Sequence, residues 1–266
     1  MRSKDVMPAG YARLVPDLAG DGRLNERKMP KRETPHAEKA SHQEVRTESR
    51  QADLRRAMAI RIVIAAVGFA PVTALAASIF GDAELQTTVL VLVLPCVTAL
   101  AELVWLKPNY RTIALSGFIF GLIAVTVYDL FRLPFILSGL WPDFIPRIGT
   151  WLINDGRAHP VVGYLYRYIG DGGGLGMGFV ALYPFLRRLS GNSILCGLIY
   201  GIGIWSGLIA TVLISPHGQE YLFRITPLSL TLSLAGHLVY GGTLGILIGN
   251  ARARALTRVE TEWEPA

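Results

Sequence analysis

The sequence predicts an all-α membrane protein: a polytopic bundle of about six transmembrane helices behind a basic, disordered and partly helical N-terminal tail. Three observations carry that reading. Hydrophobic residues make up 51% of the 266 positions and charged residues 17%, yet the apolar residues stand in long blocks instead of recurring with the period of a soluble core. The charges crowd into the first 56 positions, the connections and the last 15 positions. Six blocks reach the roughly 20 residues that a helix rising about 1.5 Å per residue needs to cross an apolar layer about 30 Å thick.

In chain order, residues 1–56 come first, with 13 Lys or Arg, 9 Asp or Glu and no sustained apolar period. Such a segment buries too little surface to offset the entropy of ordering it. Its last part, HAEKASHQEVRTESRQADLRRAMAI, is rich in helix formers and leads into the first apolar block. That block is too long and too late in the chain for the core of a secretory signal, so it stays as a span. The membrane domain covers 57–250, with spans at 58–80, 86–106, 112–130, 161–186, 193–215 and 228–250, and a C-terminal tail at 251–266. Pro71 and Pro95 mark expected kinks. Cys96 and Cys196 fall inside apolar blocks and read as small hydrophobes, with no disulfide or metal role.

Orientation follows from Lys and Arg near the span ends, which accumulate on the cytoplasmic side. The tail, Lys107 with Arg111, Arg187 with Arg188, and Arg252 with Arg254 and Arg258 alternate with a connection at 81–85 that has none. Both termini are therefore expected in the cytoplasm. Arg147, Arg157 and Arg224 are exceptions in outer loops, with Asp143, Asp155 and Glu220 close in sequence to offset them. The long connection 131–160 carries Trp141, Pro142, Phe144, Pro146 and Trp151, and is expected to lie in the outer interface, where Trp prefers the headgroup level. A short re-entrant cap is the alternative.

Three spans repeat one small motif: GFIFG at 117–121, GLIYG at 197–201 and HLVYG at 237–241. GxxxG spacing recurs at Gly174 and Gly178, Gly203 and Gly207, and Gly241, Gly245 and Gly249. Small residues four apart share a helix face and let backbones approach, so spans three to six are expected to pack tightly.

An ionisable side chain at membrane depth is costly unless paired or hydrated, which makes each one a functional candidate. The candidates form a polar path of Asp129, Arg132, Arg167, Asp171, His237 and Tyr240. Residue counting places Asp171 and His237 near the membrane middle, Arg167 shallower, and Asp129 with Arg132 near the outer end of the third span. Asp129 and Arg132, three apart, and Arg167 and Asp171, four apart, are each spaced for a local ion pair. The glycines at 172–174 are placed either to break the fourth span or to pack closely. His217 and Glu220 are expected at the mouth of a polar vestibule leading inward. Glu102, near the inner end of span two, can snorkel to the cytoplasm.

Sharper chemistry finds no pattern. GIWSG at 203–207 with the His237 helix invites comparison with rhomboid-type intramembrane proteases, but Ile204 stands where that pattern requires Gly. No HExxH is present. The expectation is no cofactor, no metal site and no catalytic residue. The segments VGYLYRYIGDGGGLGMGF and AGHLVYGGTLG, with SPHGQEYLFRITP between them, resemble a group of prokaryotic multi-pass membrane proteins with no established activity. The similarity covers roughly the last 150 residues and leaves the tail outside. It implies a bacterial inner-membrane protein.

The expected partners are the lipid bilayer, anionic lipid at the basic tail and a second copy of the chain as a homo-oligomer, not nucleic acid. Three functional classes stay open. The first is a permeation or transport module for a small solute, an ion or protons; the second is a non-catalytic assembly or sensory protein whose basic tail recruits a partner or anionic lipid; the third is a membrane enzyme acting on a lipid or isoprenoid substrate.

Overall fold

The computed structural model describes residues 35–262 apart from residue 82, and side chains for 46–252 apart from 82 and 109. Residues 1–34, the larger part of the tail expected to be disordered, lie outside the described residues. Every regular element among the described residues is helical. Residues up to Arg50 form one unit, whose described part is helix. From Gln51 onward a second unit holds the membrane domain.

The elements are α1 (Pro35–Phe80), α2 (Leu85–Leu106), α3 (Pro108–Leu137), α4 (Ile145–Ile153), α5 (160–189), α6 (Ser193–Ile214), α7 (Gly218–Tyr221) and α8 (Pro227–Glu262). Five stretches among the described residues are long and apolar enough to cross a membrane: Arg46–Phe80, Leu85–Leu106, Tyr110–Leu137, Ser193–Ile214 and Pro227–Arg252. Their outward faces are apolar, with Leu90, Leu137 and Leu213 exposed and Val91 72% exposed. Such a surface suits lipid as the surrounding solvent. The chain is built as an integral membrane helix bundle.

The expected fourth span, α5, is continuous but less apolar than the other five. It carries Arg167, Asp171 and a glycine at 170, 172, 173, 174, 176 and 178. Most of these sit inside the bundle, where a helix has neighbours in place of a lipid face and needs small residues more than greasy ones. The glycines at 172–174 do not break the helix. Arg167–Gly174 is wound as a π-helix instead, a wider turn that often marks a functional segment. A second π-helical turn, Val89–Val93, precedes Pro95 in α2 and absorbs the donor that proline lacks.

Close backbone approach explains the seams. A Cβ on Gly121 would fall 2.8 Å from the Gly172 carbonyl carbon, and one on Gly197 would fall 2.9 Å from that of Gly241. Two of the repeated motifs, in α6 and α8, thus pack on each other, and the third, in α3, packs on α5. Sequence reading left out α1, which joins through Gly68 against the Gly174 carbonyl. Gly203 and Gly207 depart from expectation: a Cβ on either meets nothing within 4 Å.

Several boundaries move. The third span runs past 130 to Leu137, because Arg132, expected to mark its end, is only 2% exposed and finds its charge partners within the fold. Residues expected in the C-terminal tail continue α8 as helix to Glu262. The connection 131–160 packs part of its aromatic set inside the fold. Trp141 is 4% exposed and packs on Phe223, while α4 buries Ile145 and Ile148 against Ile79, Leu85 and Val212. Gly149 and Gly163 bring α4 tightly onto the start of α5, and Asn154, at φ 57°, ends α4 in a left-handed cap. The α6 start is fixed by Asn192, whose Oδ1 accepts from the Ile194 and Leu195 N–H groups.

Candidate functional site

The ionisable residues of the expected path are brought together, but not in the local pairs their spacing suggests. Arg167 donates from Nε at 3.0 and 3.1 Å and from Nη2 at 2.7 Å to the Asp129 carboxylate on α3. Its guanidinium lies 4.7 Å from the centre of the Tyr128 ring. Arg132 donates from Nη2 to Asp143 at 2.7 Å and stays 3.9 Å from Asp129. The Tyr164 hydroxyl donates to the other Asp143 oxygen at 3.0 Å. Two buried cations and two carboxylates therefore close a chain of ion pairs across α3, α5 and the α3–α4 connection. The i,i+3 pair is weak and the i,i+4 pair is absent, because α3 offers Arg167 a carboxylate across the helix interface in bidentate geometry.

Asp171 is left over. Its Oδ1 is buried with no hydrogen-bond partner. Nearby, His237 Nδ1 bonds the Ser233 carbonyl at 2.7 Å. A carbonyl only accepts, so Nδ1 carries the proton and Nε2 of the neutral ring is an acceptor. Tyr128 meets the same ring edge to face, 5.6 Å between centres. Tyr240 donates to the Gly172 carbonyl at 2.8 Å and Tyr200 to the Leu175 carbonyl at 2.7 Å. The tyrosines of two repeated motifs thus brace the glycine-rich stretch of α5 from α8 and α6, a role for Tyr200 that the motif itself signalled.

Arg167, Asp171, His237 and Tyr240 line a cavity of about 600 Å³. Its walls are α1, with Phe69, Val72 and Ala76, and α6, with Ile199, Gly203 and Gly207; Val125, Tyr128 and Gly172 complete the floor. Asp129 and Arg132 are not among the lining residues. Asp129 holds Arg167 from behind, and Arg132 stands 3.9 Å from the same carboxylate. Nor does a polar vestibule lead in: Ile79, Phe144 and Leu222 line the end nearest the α3–α4 and α6–α8 connections, while His217 and Glu220 stand exposed, 4.0 Å apart. At that same surface, Asp155 accepts from the Arg157 N–H and bonds His159 Nε2 at 2.8 Å, which holds its carboxyl below the usual carboxylate range. Arg147, expected beside Asp143, donates instead to the Glu220 carbonyl.

The Ser206 hydroxyl donates to the Ile202 carbonyl on its own helix, and His237 is engaged with Ser233. Missed by sequence reading were Asp143, Tyr128, Tyr164 and Gly68, whose roles depend on which helices become neighbours. Against known proteins, no family model matches the chain, and no curated protein or solved structure matches it.

Proposed function

We propose that this chain is a small permeation or transport module of the bacterial inner membrane, with both termini cytoplasmic, in which a small solute, an ion or protons pass along the floor of the α1–α6 cavity. The observation that carries the reading is Asp171: an acid at membrane depth whose Oδ1 has no partner, in a cavity beside His237. A purely structural carboxylate would be expected to hold a partner as Asp129 and Asp143 do, since an unpaired buried acid costs stability and returns nothing to the fold. The basic residues support the orientation. Arg252 lies over the Tyr183 ring near Arg187 and Arg188, at the opposite end of α5 from the outer connections.

Purified protein in liposomes, screened for proton, ion and small-solute flux, tests this. The expected result is a flux that Asp171→Asn and His237→Ala together reduce at least about tenfold, equivalent to roughly 1.4 kcal/mol on the barrier. Unchanged flux in that double variant removes both residues from the path.

A further inference from the structure

We infer that the cavity takes an amphipathic molecule with a positively charged, hydrogen-bond-donating head and an apolar body, its head against Asp171 and His237 and its body along α6 at Gly203 and Gly207. This identifies a substrate class for the proposed transport path and rests on that reading. The polarity of the head follows from the floor. Arg167 gives its Nε and Nη2 to Asp129, and Arg132 gives Nη2 to Asp143, so those four charges cancel in pairs. Asp171 shares no hydrogen bond or close ion pair with either cation and is the one carboxylate in excess over Arg132 and Arg167. His237 presents Nε2 as an acceptor, and the Tyr200 and Tyr240 protons are committed to backbone carbonyls, which leaves their oxygens free to accept. Apart from the Arg167 guanidinium, which is turned to Asp129, the polar groups of the floor are acceptors, and donors complement them. An anionic head would set like charge beside Asp171 in a medium that screens it poorly.

The body follows from the walls, which are apolar apart from a few hydroxyls. Gly203 and Gly207 have the spacing of a helix seam but no helix against them, unlike Gly197 and Gly201, where an added Cβ runs into the α8 backbone. They leave a strip of α6 along the cavity where an alkyl or flat apolar group would meet no neighbouring backbone. The volume of about 600 Å³ lies within the roughly 300–1,000 Å³ typical of small-molecule sites.

Saturable binding of radiolabelled decylamine to the full chain in nanodiscs, with empty nanodiscs subtracted, tests the inference. Binding should be displaced by unlabelled decylamine and not by decanoate. Asp171→Asn should weaken it at least about tenfold. Gly203→Leu combined with Gly207→Leu should abolish it with the melting temperature unchanged, since both side chains enter open space. No saturable binding, equal competition by decanoate, or full binding in the double leucine variant overturns the inference. So does a double leucine variant that changes the oligomeric state and leaves decylamine bound, which would assign the strip to a second copy of the chain. Flux sensitive to Asp171→Asn without decylamine binding overturns this inference and leaves the transport reading standing. Saturable, Asp171-dependent binding with no such flux sustains the inference and overturns the transport reading alone.

Discussion

Replacing Asp129 with Ala is expected to destabilise the folded protein by about 3–5 kcal/mol, the usual cost of removing one partner from a buried ion pair. The magnitude comes from what is left behind. Arg167 loses all three of its described charge-assisted bonds, and Arg132 loses its second carboxylate. Arg132 is 2% exposed and already has an unpartnered Nε, so it has no route to water. Arg167 would be left in a cavity whose remaining acid, Asp171, makes no bond to it. Unfolding by sodium dodecyl sulfate in mixed micelles should show the loss directly. Removing the cation as well, in Asp129→Ala with Arg167→Met, should restore a large part of the stability, because no orphaned charge is then left buried.

The second large effect is steric. Gly241→Val is expected to cost about 3 kcal/mol, the upper end for forcing atoms into a packed interface. Its Cβ would lie 2.9 Å from the Gly197 carbonyl carbon and 3.1 Å from the Gly201 Cα. These are backbone atoms of α6, so relief requires the two helices to separate along their length. Gly203→Ala is the control on the same seam spacing. Nothing lies within 4 Å of its Cβ, and stability should stay within about 0.5 kcal/mol of the parent in the same unfolding assay. Equal losses in the two variants would show that glycine content, not these particular contacts, holds α6 to α8.

The spans were readable because lipid imposes a length and a composition on each helix independently of its neighbours. α6 was placed at 193–215 and runs Ser193–Ile214, since Asn192 caps it and Ser-Pro ends it. The end of α3 was misplaced for the opposite reason: Asp129 and Arg132 read as a membrane boundary when taken alone, yet Arg167 and Asp143 neutralise them within the fold. The same gap separates the site residues from their wiring. Spacing on one helix ranks near neighbours first, whereas Arg167 reaches a carboxylate 38 positions away. The glycines of α5 showed the limit from another side. In isolation a run of three suggests a broken helix, but pressed against Gly68, Phe118 and Gly121 it is the surface that lets α1 and α3 close around α5. The acid beside it was visible as a candidate; that its Oδ1 lacks a partner, unlike the carboxylates of Asp129 and Asp143, depends on every helix around it.

A double-mutant cycle on Arg167 tests the charge arrangement most directly. Unfolding free energies would be measured for Arg167→Met alone and combined with Asp129→Asn or with Asp171→Asn. The account predicts a coupling of roughly 3 kcal/mol between Arg167 and Asp129 and a clearly smaller one between Arg167 and Asp171, which share no hydrogen bond. The reverse order would mean that Arg167 neutralises Asp171, and that the cavity floor has no free carboxylate.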